Sequence, residues 1–303
     1  MRISCSQGRT ARGIIAMRHV RRWILALAIM QHLRELMMTD LIEQTATYLA
    51  DLRFEMRTVD ALPERIRPTD LASAYQAQDR MVSQLLAKRG GQPIGYKVAC
   101  TSALAREQLR VPHPLFGQLL SFSTFTSPAR LPASGFTVRT IEPEFGFQMA
   151  ADVPASNISN MPYEAEDVVA FIGAAFPSIE IVDHRFNDWS LAGAPSIAAD
   201  NAIHGAWVHG EPFVNWDLFD LADHEVVLIV NGKEERRGTG AAVLDHPLNV
   251  IAWLANELPK YGKRLKRGDF ITTGVVCDVY PAQQGDQLIA DFGGLGQVAL
   301  SFA

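Results

Sequence analysis

The feature that most restricts this chain is the stretch Ile141-Glu142-Pro143-Glu144-Phe145-Gly146-Phe147-Gln148-Met149, whose odd positions are apolar or proline and whose even positions are Glu, Glu, Gly and Gln. A period of two belongs to a β-strand, because successive side chains there point to opposite faces. Glu142 and Glu144 therefore share a face, and the aromatic face opposite is destined for a core. Two like charges at this spacing repel each other unless something positive lies between them. The plain alternative is the solvated outer face of an edge strand, a position that Pro143 permits.

A third carboxylate is harder to place in solvent. In Phe176-Pro177-Ser178-Ile179-Glu180-Ile181-Val182 a single glutamate interrupts a run of strong strand character, where an unpaired charge would be costly. It is either one exposed position on a half-buried strand or part of a site. Three carboxylates on two strands, without a His or Cys companion, are hard oxygen donors of the kind that suits Mg²⁺ or Mn²⁺, not zinc. Lys97, within Ile94-Gly95-Tyr96-Lys97-Val98-Ala99, is a lysine in apolar, strand-like company. It either reaches the surface along its stem or serves an anion at a site. Thr272 and Thr273 put hydroxyls at the end of another strand-like run, where a substrate carboxylate could bind.

The chain changes character along its length. The first 37 residues carry seven arginines and one acid, leaving 21 basic and 32 acidic residues, a net −11, for the rest. Residues 1–37 are expected to be a basic extension, disordered or upstream of a native start at Met38. A helical lobe is expected over 38–93. It holds one helix from Asp40 to Phe54, capped by Thr39 or Asp40, and another from Asp70 to Lys88, closed by Gly90-Gly91. From 94 to 303, short apolar runs broken by Gly and Pro predict a β-rich catalytic domain. Within it, Asn231-Gly232 after Val226–Val230 predicts a hairpin turn. Asp245 and Pro247 start a helix. Strands near Phe270–Thr273, Gln287–Asp291 and Val298–Phe302 read as a closing meander.

An acidic body argues against a nucleic-acid partner, since a surface that follows phosphates is basic. The apolar run Trp23–Met30 is too short to span a bilayer. Three scattered cysteines, without a C-x-x-C pattern, indicate neither a disulfide framework nor a thiolate zinc site and fit a reducing cytoplasm. There is no P-loop, H-E-x-x-H or G-x-S-x-G, and Gly238-Thr239-Gly240 lacks a dinucleotide-binding context. The eight scattered histidines read as structural or exposed.

Gly95-Tyr96-Lys97-Val98, Pro114-Leu115-Phe116-Gly117, Glu142-Pro143-Glu144, Ile179-Glu180-Ile181-Val182-Asp183, Ala199-Asp200-Asn201-Ala202, Gly238-Thr239-Gly240 and Thr272-Thr273-Gly274 together resemble the 2-keto-4-pentenoate hydratase and 4-oxalocrotonate decarboxylase branch of the fumarylacetoacetate hydrolase superfamily. The resemblance runs from about Met38 to the C-terminus. It implies an α+β fold, a mixed β-roll behind an N-terminal helical lobe, with assembly into a homo-oligomer or a complex with a sister hydratase or decarboxylase. It also implies a Mg²⁺ or Mn²⁺ site at Glu142, Glu144 and Glu180, with Lys97 as the catalytic lysine and Thr273, Leu115 and Phe116 near substrate.

The implied reaction is hydration of a small 2-oxo-4-enoate, or its 2-hydroxydienoate tautomer, as in aromatic meta-cleavage catabolism. One departure stands out: hydratases of this branch carry Asp where this chain has Leu115, and leucine cannot move a proton. Leu115 raises decarboxylation of a 2-oxo-3-enedioate as an alternative. Cleavage of an acylpyruvate C–C bond and a non-catalytic partner role are two more.

Overall fold

A computed structural model of the chain describes residues 8–155 and 161–303; residues 1–7, the start of the basic segment, lie outside it. Two helices, α1 (Gly8–Phe54) and α2 (Leu71–Arg89), lead into β1 (Pro93–Ala99), α3 (Ala103–Leu109), β2 (Leu115–Leu120), β3 (Thr124–Thr126), β4 (Ala129–Leu131) and β5 (Thr140–Met149). Next come α4 (Ala165–Val168), β6 (Ile172–Val182), α5 (Ala194–Ala199), β7 (His204–His209), β8 (Glu225–Val230), β9 (Lys233–Thr239) and α6 (Pro247–Glu257). The chain closes with β10 (Phe270–Thr272), β11 (Tyr280–Pro281), β12 (Gln287–Asp291) and β13 (Gln297–Phe302).

The expected cap at Thr39 or Asp40 does not start a helix. From residue 14 to 54 the sequence has neither glycine nor proline, so nothing in the backbone stops α1 there. The Asp40 carboxylate instead accepts a 2.8 Å bond from Gln44 one turn on. Residues 8–37, read as an extension, continue the same helix, with Trp23, Leu27 and Met30 exposed along it. The second cap holds: Asp70 accepts from the Ser73 amide at 2.8 Å, and Gly90, at φ 79°, ends α2. Ile42, Ala46, Leu49 and Leu52 of α1 and Ala74, Met81, Val82 and Leu85 of α2 are buried in one cluster with the strands. Burial of about 1.5–3 kcal/mol of apolar side chain per position is what fastens the lobe to the sheet.

Among the described residues the strands form two sheets. The first runs β2-β1-β10-β5-β6-β7-β3, with β11 also on β5, and the second β4-β13-β12-β8-β9. Pairings β1–β10, β3–β7 and β4–β13 are parallel and the rest antiparallel, so the roll is mixed. The Asn231-Gly232 turn joins β8 to β9 with both φ angles positive, 52° and 81°, as a type I′ turn needs. His246, not Asp245, caps α6, its ring accepting from the Leu248 amide at 3.0 Å. The closing meander is reduced to β12–β13: β10 departs to the first sheet, where it fills the gap between β1 and β5.

Pro143 does not mark an edge. β5 is bonded along its length to β6, and on its other side β10 meets residues 146–148 and β11 residues 140–141. The Pro143 carbonyl accepts from Val276 on that second side, at 3.0 Å. A strand residue's N and O point the same way, so the missing N–H faces the gap between β10 and β11 and costs no ladder bond.

Candidate metal centre

The strand register brings the three glutamates together. Glu142 on β5 lies directly opposite Glu180 on β6, and Glu144 follows two residues on, on the same face. One carboxylate oxygen from each falls within 4.8 Å of the others. Glu144 and Glu180 are fully buried, and Glu142 is partly exposed. Lys97 arrives from β1, beside Thr272 of β10 in the parallel register, and its Nζ lies 3.2 Å from Glu180 Oε2.

Each group is held by a particular neighbour. Glu144 Oε2 accepts from the Thr272 hydroxyl and, at 2.8 Å, from the Gly274 amide. Glu180 Oε1 lies 2.9 Å from His204 Nδ1. Lys97 Nζ donates to the Ala202 carbonyl at 3.0 Å. That carbonyl is turned inward by three successive left-handed residues, Asn201, Ala202 and Ile203, at φ 55°, 47° and 59°. Such backbone costs energy at each non-glycine position and persists only where its surroundings enforce it. Here the Asn201 side chain is pinned to the Gln118 amide and carbonyl at 2.7 and 2.9 Å. Gly117 lets the turn approach, since a Cβ there would lie 2.3 Å from the Asn201 carbonyl oxygen.

The electrostatics leave the carboxylates in excess of the positive charge. Burial, with Glu180 adding to it, pushes the Glu142 carboxyl up to about 7 and Glu144 well above the usual carboxylate range. Burial acts upward on Glu180 too, but Lys97 and His204 outweigh it and hold that carboxyl low. Burial pulls Lys97 down, yet the three glutamates more than offset it and keep the ammonium charged. Burial lowers His204, so its imidazole is neutral near pH 7. One lysine thus faces three carboxylates, Glu144 Oε1 is buried without a partner, and Glu180 Oε2 has only the Lys97 ammonium at 3.2 Å. Hard oxygens so short of donors fit a divalent ion.

Lys97 and Glu142 line a cavity of about 110 Å³. Its walls include Cys100, Thr101, His184, Trp189 and Val279. Burial pushes the Cys100 thiol up to about 11, which leaves it a protonated side chain and not a nucleophile.

The other expected positions divide. Leu115 is buried on the Lys97 face of the sheet, opposite Ala99. Phe116, one residue on, must face the other way: it stacks on Tyr75 at 4.0 Å between ring centroids, inside the helical lobe's core. The Thr273 hydroxyl donates to the Phe145 carbonyl at 3.0 Å, and Thr272 supplies the hydroxyl that meets the carboxylates. His204 was passed over among the scattered histidines. Its signal was its place just after Ala199-Asp200-Asn201-Ala202, the segment that shapes the Lys97 contact.

The family profile described as fumarylacetoacetate (FAA) hydrolase C-terminal matches residues 99–302. The chain belongs to that family. Among fumarylacetoacetate hydrolase relatives, a 2-hydroxyhexa-2,4-dienoate hydratase of Comamonas testosteroni is 30% identical over 263 residues, 86% of this chain and 97% of its own. A 2-keto-4-pentenoate hydratase of Paraburkholderia phymatum is 29% identical over 262 residues, again 86% and 97%. The 4-oxalocrotonate decarboxylase of Pseudomonas putida G7, solved with magnesium and adipate, superposes with a TM-score of 0.80 at 26% identity, covering 88% of this chain and 98% of its own. No helix among the described residues is long and apolar enough to cross a membrane.

Proposed function

We propose that this chain is a divalent-metal-dependent lyase that adds water to a small 2-oxo-4-enoate, or its 2-hydroxydienoate tautomer, to give a 4-hydroxy-2-oxo acid. The reading places it in the cytoplasmic catabolism of aromatic meta-cleavage products, as a homo-oligomer or beside a sister enzyme. The observation that carries it is a buried cluster of three glutamates around one charged lysine, in which Glu144 Oε1 has no partner and Glu180 Oε2 has only its ion pair with Lys97, with Lys97 and Glu142 lining a cavity. Two hydratase relatives of nearly full length support the reaction class.

Glu142, Glu144 and Glu180 would hold Mg²⁺ or Mn²⁺, whose Lewis acidity toward a 2-oxo group and its neighbouring carboxylate is the chemistry that such an ion supplies. The protein's own groups do the rest. Lys97 keeps its positive charge where an enolate oxygen develops, and Nζ is the group placed to donate a proton there. Thr272 and the Gly274 amide fix Glu144, so its free oxygen keeps one direction. The cavity walls hold the substrate's hydrocarbon portion and limit bulk water to what the reaction consumes.

Decarboxylation of a 2-oxo-3-enedioate is the second reading, favoured by Leu115, which can carry no proton, and by the likeness to the decarboxylase. The test is to offer the purified chain, with Mg²⁺ or Mn²⁺, 2-hydroxypenta-2,4-dienoate, a 2-oxo-3-enedioate and an acylpyruvate, and to weigh the products. Gain of water supports the proposal, loss of CO₂ replaces it with the second reading, and cleavage into two acids would make the chain a C–C hydrolase. No turnover without a second polypeptide would make it a partner subunit. Leu115→Asp should depress any decarboxylation, and an unchanged rate would remove Leu115 from the case.

A further inference from the structure

His204 touches the centre without belonging to its donor set. It opens β7, beside β6, and its ring is 2% exposed. Its Nδ1 lies 2.9 Å from Glu180 Oε1, while its Nε2 is buried and meets no protein partner. The ring is placed from behind: the guanidinium of Arg53 donates to the His204 carbonyl at 2.9 Å and forms a 2.7 Å ion pair with Asp200. An ionised carboxylate has no proton to give, so the ring must donate, and Nδ1 is the nitrogen that carries the hydrogen.

Glu180 has two oxygens and two separate claims on them. Oε1 faces His204; Oε2 faces Lys97, and one carboxylate oxygen of Glu180 lies within 4.8 Å of one from each of Glu142 and Glu144. Without a donor at Oε1 the carboxylate could rotate about its terminal bond and give either oxygen, or both, to Lys97. We propose that His204 is a positioning residue for the cation seat: its Nδ1–H holds Oε1 of Glu180, so that Oε2 is the oxygen presented to a divalent ion. A donor that orients a ligating carboxylate acts on affinity before any substrate is present, and removing such a partner commonly costs about 10- to 100-fold in metal binding.

This inference rests on the metal reading of the site, and the experiment separates the two. Mn²⁺ affinity is measured by electron paramagnetic resonance of the free ion, without substrate, on the wild-type chain and on His204→Phe and His204→Asn, with circular dichroism to confirm folding. No Mn²⁺ binding by the wild-type chain would sink the metal reading itself. If the wild type binds, His204→Phe should bind at least about 10-fold more weakly. His204→Asn, whose amide can donate from nearly the Nδ1 position, should recover most of that loss. Affinity in His204→Phe within twofold of wild type overturns the proposal, as does an asparagine variant no better than phenylalanine. Should the phenylalanine variant not fold, ¹⁵N resonances of the wild-type imidazole decide: protonation at Nδ1 is expected, and a ring protonated at Nε2 rules the proposed bond out.

Discussion

Two clusters of buried charge sit side by side in this fold, and they are balanced differently. In the first, three glutamates face one lysine, Glu144 Oε1 lacks any partner and Glu180 Oε2 has only that lysine. In the second, Arg53 pairs with Asp200 and Arg185 with Asp183, two cations for two anions. Its carboxylates are also met by backbone, although Arg185 Nε is buried without a hydrogen-bond partner: Asp183 accepts from the amides of Thr137 and Val138 at 3.0 and 2.8 Å, and Asp200 from that of Arg185 at 3.1 Å. Both occupy the interior, so burial alone does not distinguish a site from a strut. The uncompensated remainder does. A charge-matched, hydrogen-bonded cluster holds elements together, whereas an excess of negative oxygen stays costly until a cation arrives.

The contrast predicts opposite responses to losing a carboxylate. Glu144→Gln keeps the shape and removes a charge from the overcrowded side. Its kcat/KM is expected to fall by about 10³-fold, the scale of several kcal/mol of Lewis-acid stabilisation. Metal-free, the same variant should withstand urea at pH 8 at least as well as the wild type, since a repelling charge is gone. A lower urea midpoint would place Glu144 among the struts. Asp200→Ala, on the balanced side, leaves Arg53 buried and unpaired and is expected to cost about 3 kcal/mol in chemical denaturation. A loss below about 1 kcal/mol would show that the pair is less enclosed than its geometry indicates.

The smallest expected effect is with pH. Because the metal-free Glu142 carboxyl is pushed up to about 7, a proton competes with the ion below that value. Through Glu142 alone, Mn²⁺ affinity should rise about tenfold between pH 6 and pH 8. The linked sign for folding is the reverse of the usual carboxylate: a raised folded value means that metal-free protein loses stability as pH climbs from the ordinary carboxylate range toward 7. Urea midpoints at pH 5.5 and 8, with and without Mg²⁺, check both statements. A flat affinity profile would assign Glu142 an exposed, ordinary carboxyl.

The imbalanced cluster was legible from sequence because strand alternation gives the faces directly: Glu142 and Glu144 had to point together, and Glu180 stood out in apolar company. The register that sets Glu142 opposite Glu180 was not legible, since pairing is decided between segments distant in the chain. The same limit explains Thr272 and Thr273, where a shift of one residue exchanges the hydroxyl at the carboxylates for one bonded to Phe145. Phe116 shows a rule left unused, because its neighbour Leu115 already occupied the Lys97 side. For His204 only its place after Ala199-Asp200-Asn201-Ala202 gave a hint, because the left-handed turn before it has no pattern that hydropathy can register. In the fold, the Asn231-Gly232 hairpin and the Asp70 cap followed from local chemistry. The departure of β10 from the closing meander depended on a gap elsewhere in the sheet.

Glu180 lies on β6, bonded on one flank to β5 and on the other to β7, while much of the cavity wall comes from the stretches 100–102, 189 and 275–279 outside any strand. The proposed ion ligands lie on strands, whereas much of the cavity wall lies on connecting segments. A combinatorial library confined to those loops could retune which acids are accepted while leaving the ion-holding framework intact, which makes this scaffold a practical starting point for altered lyases.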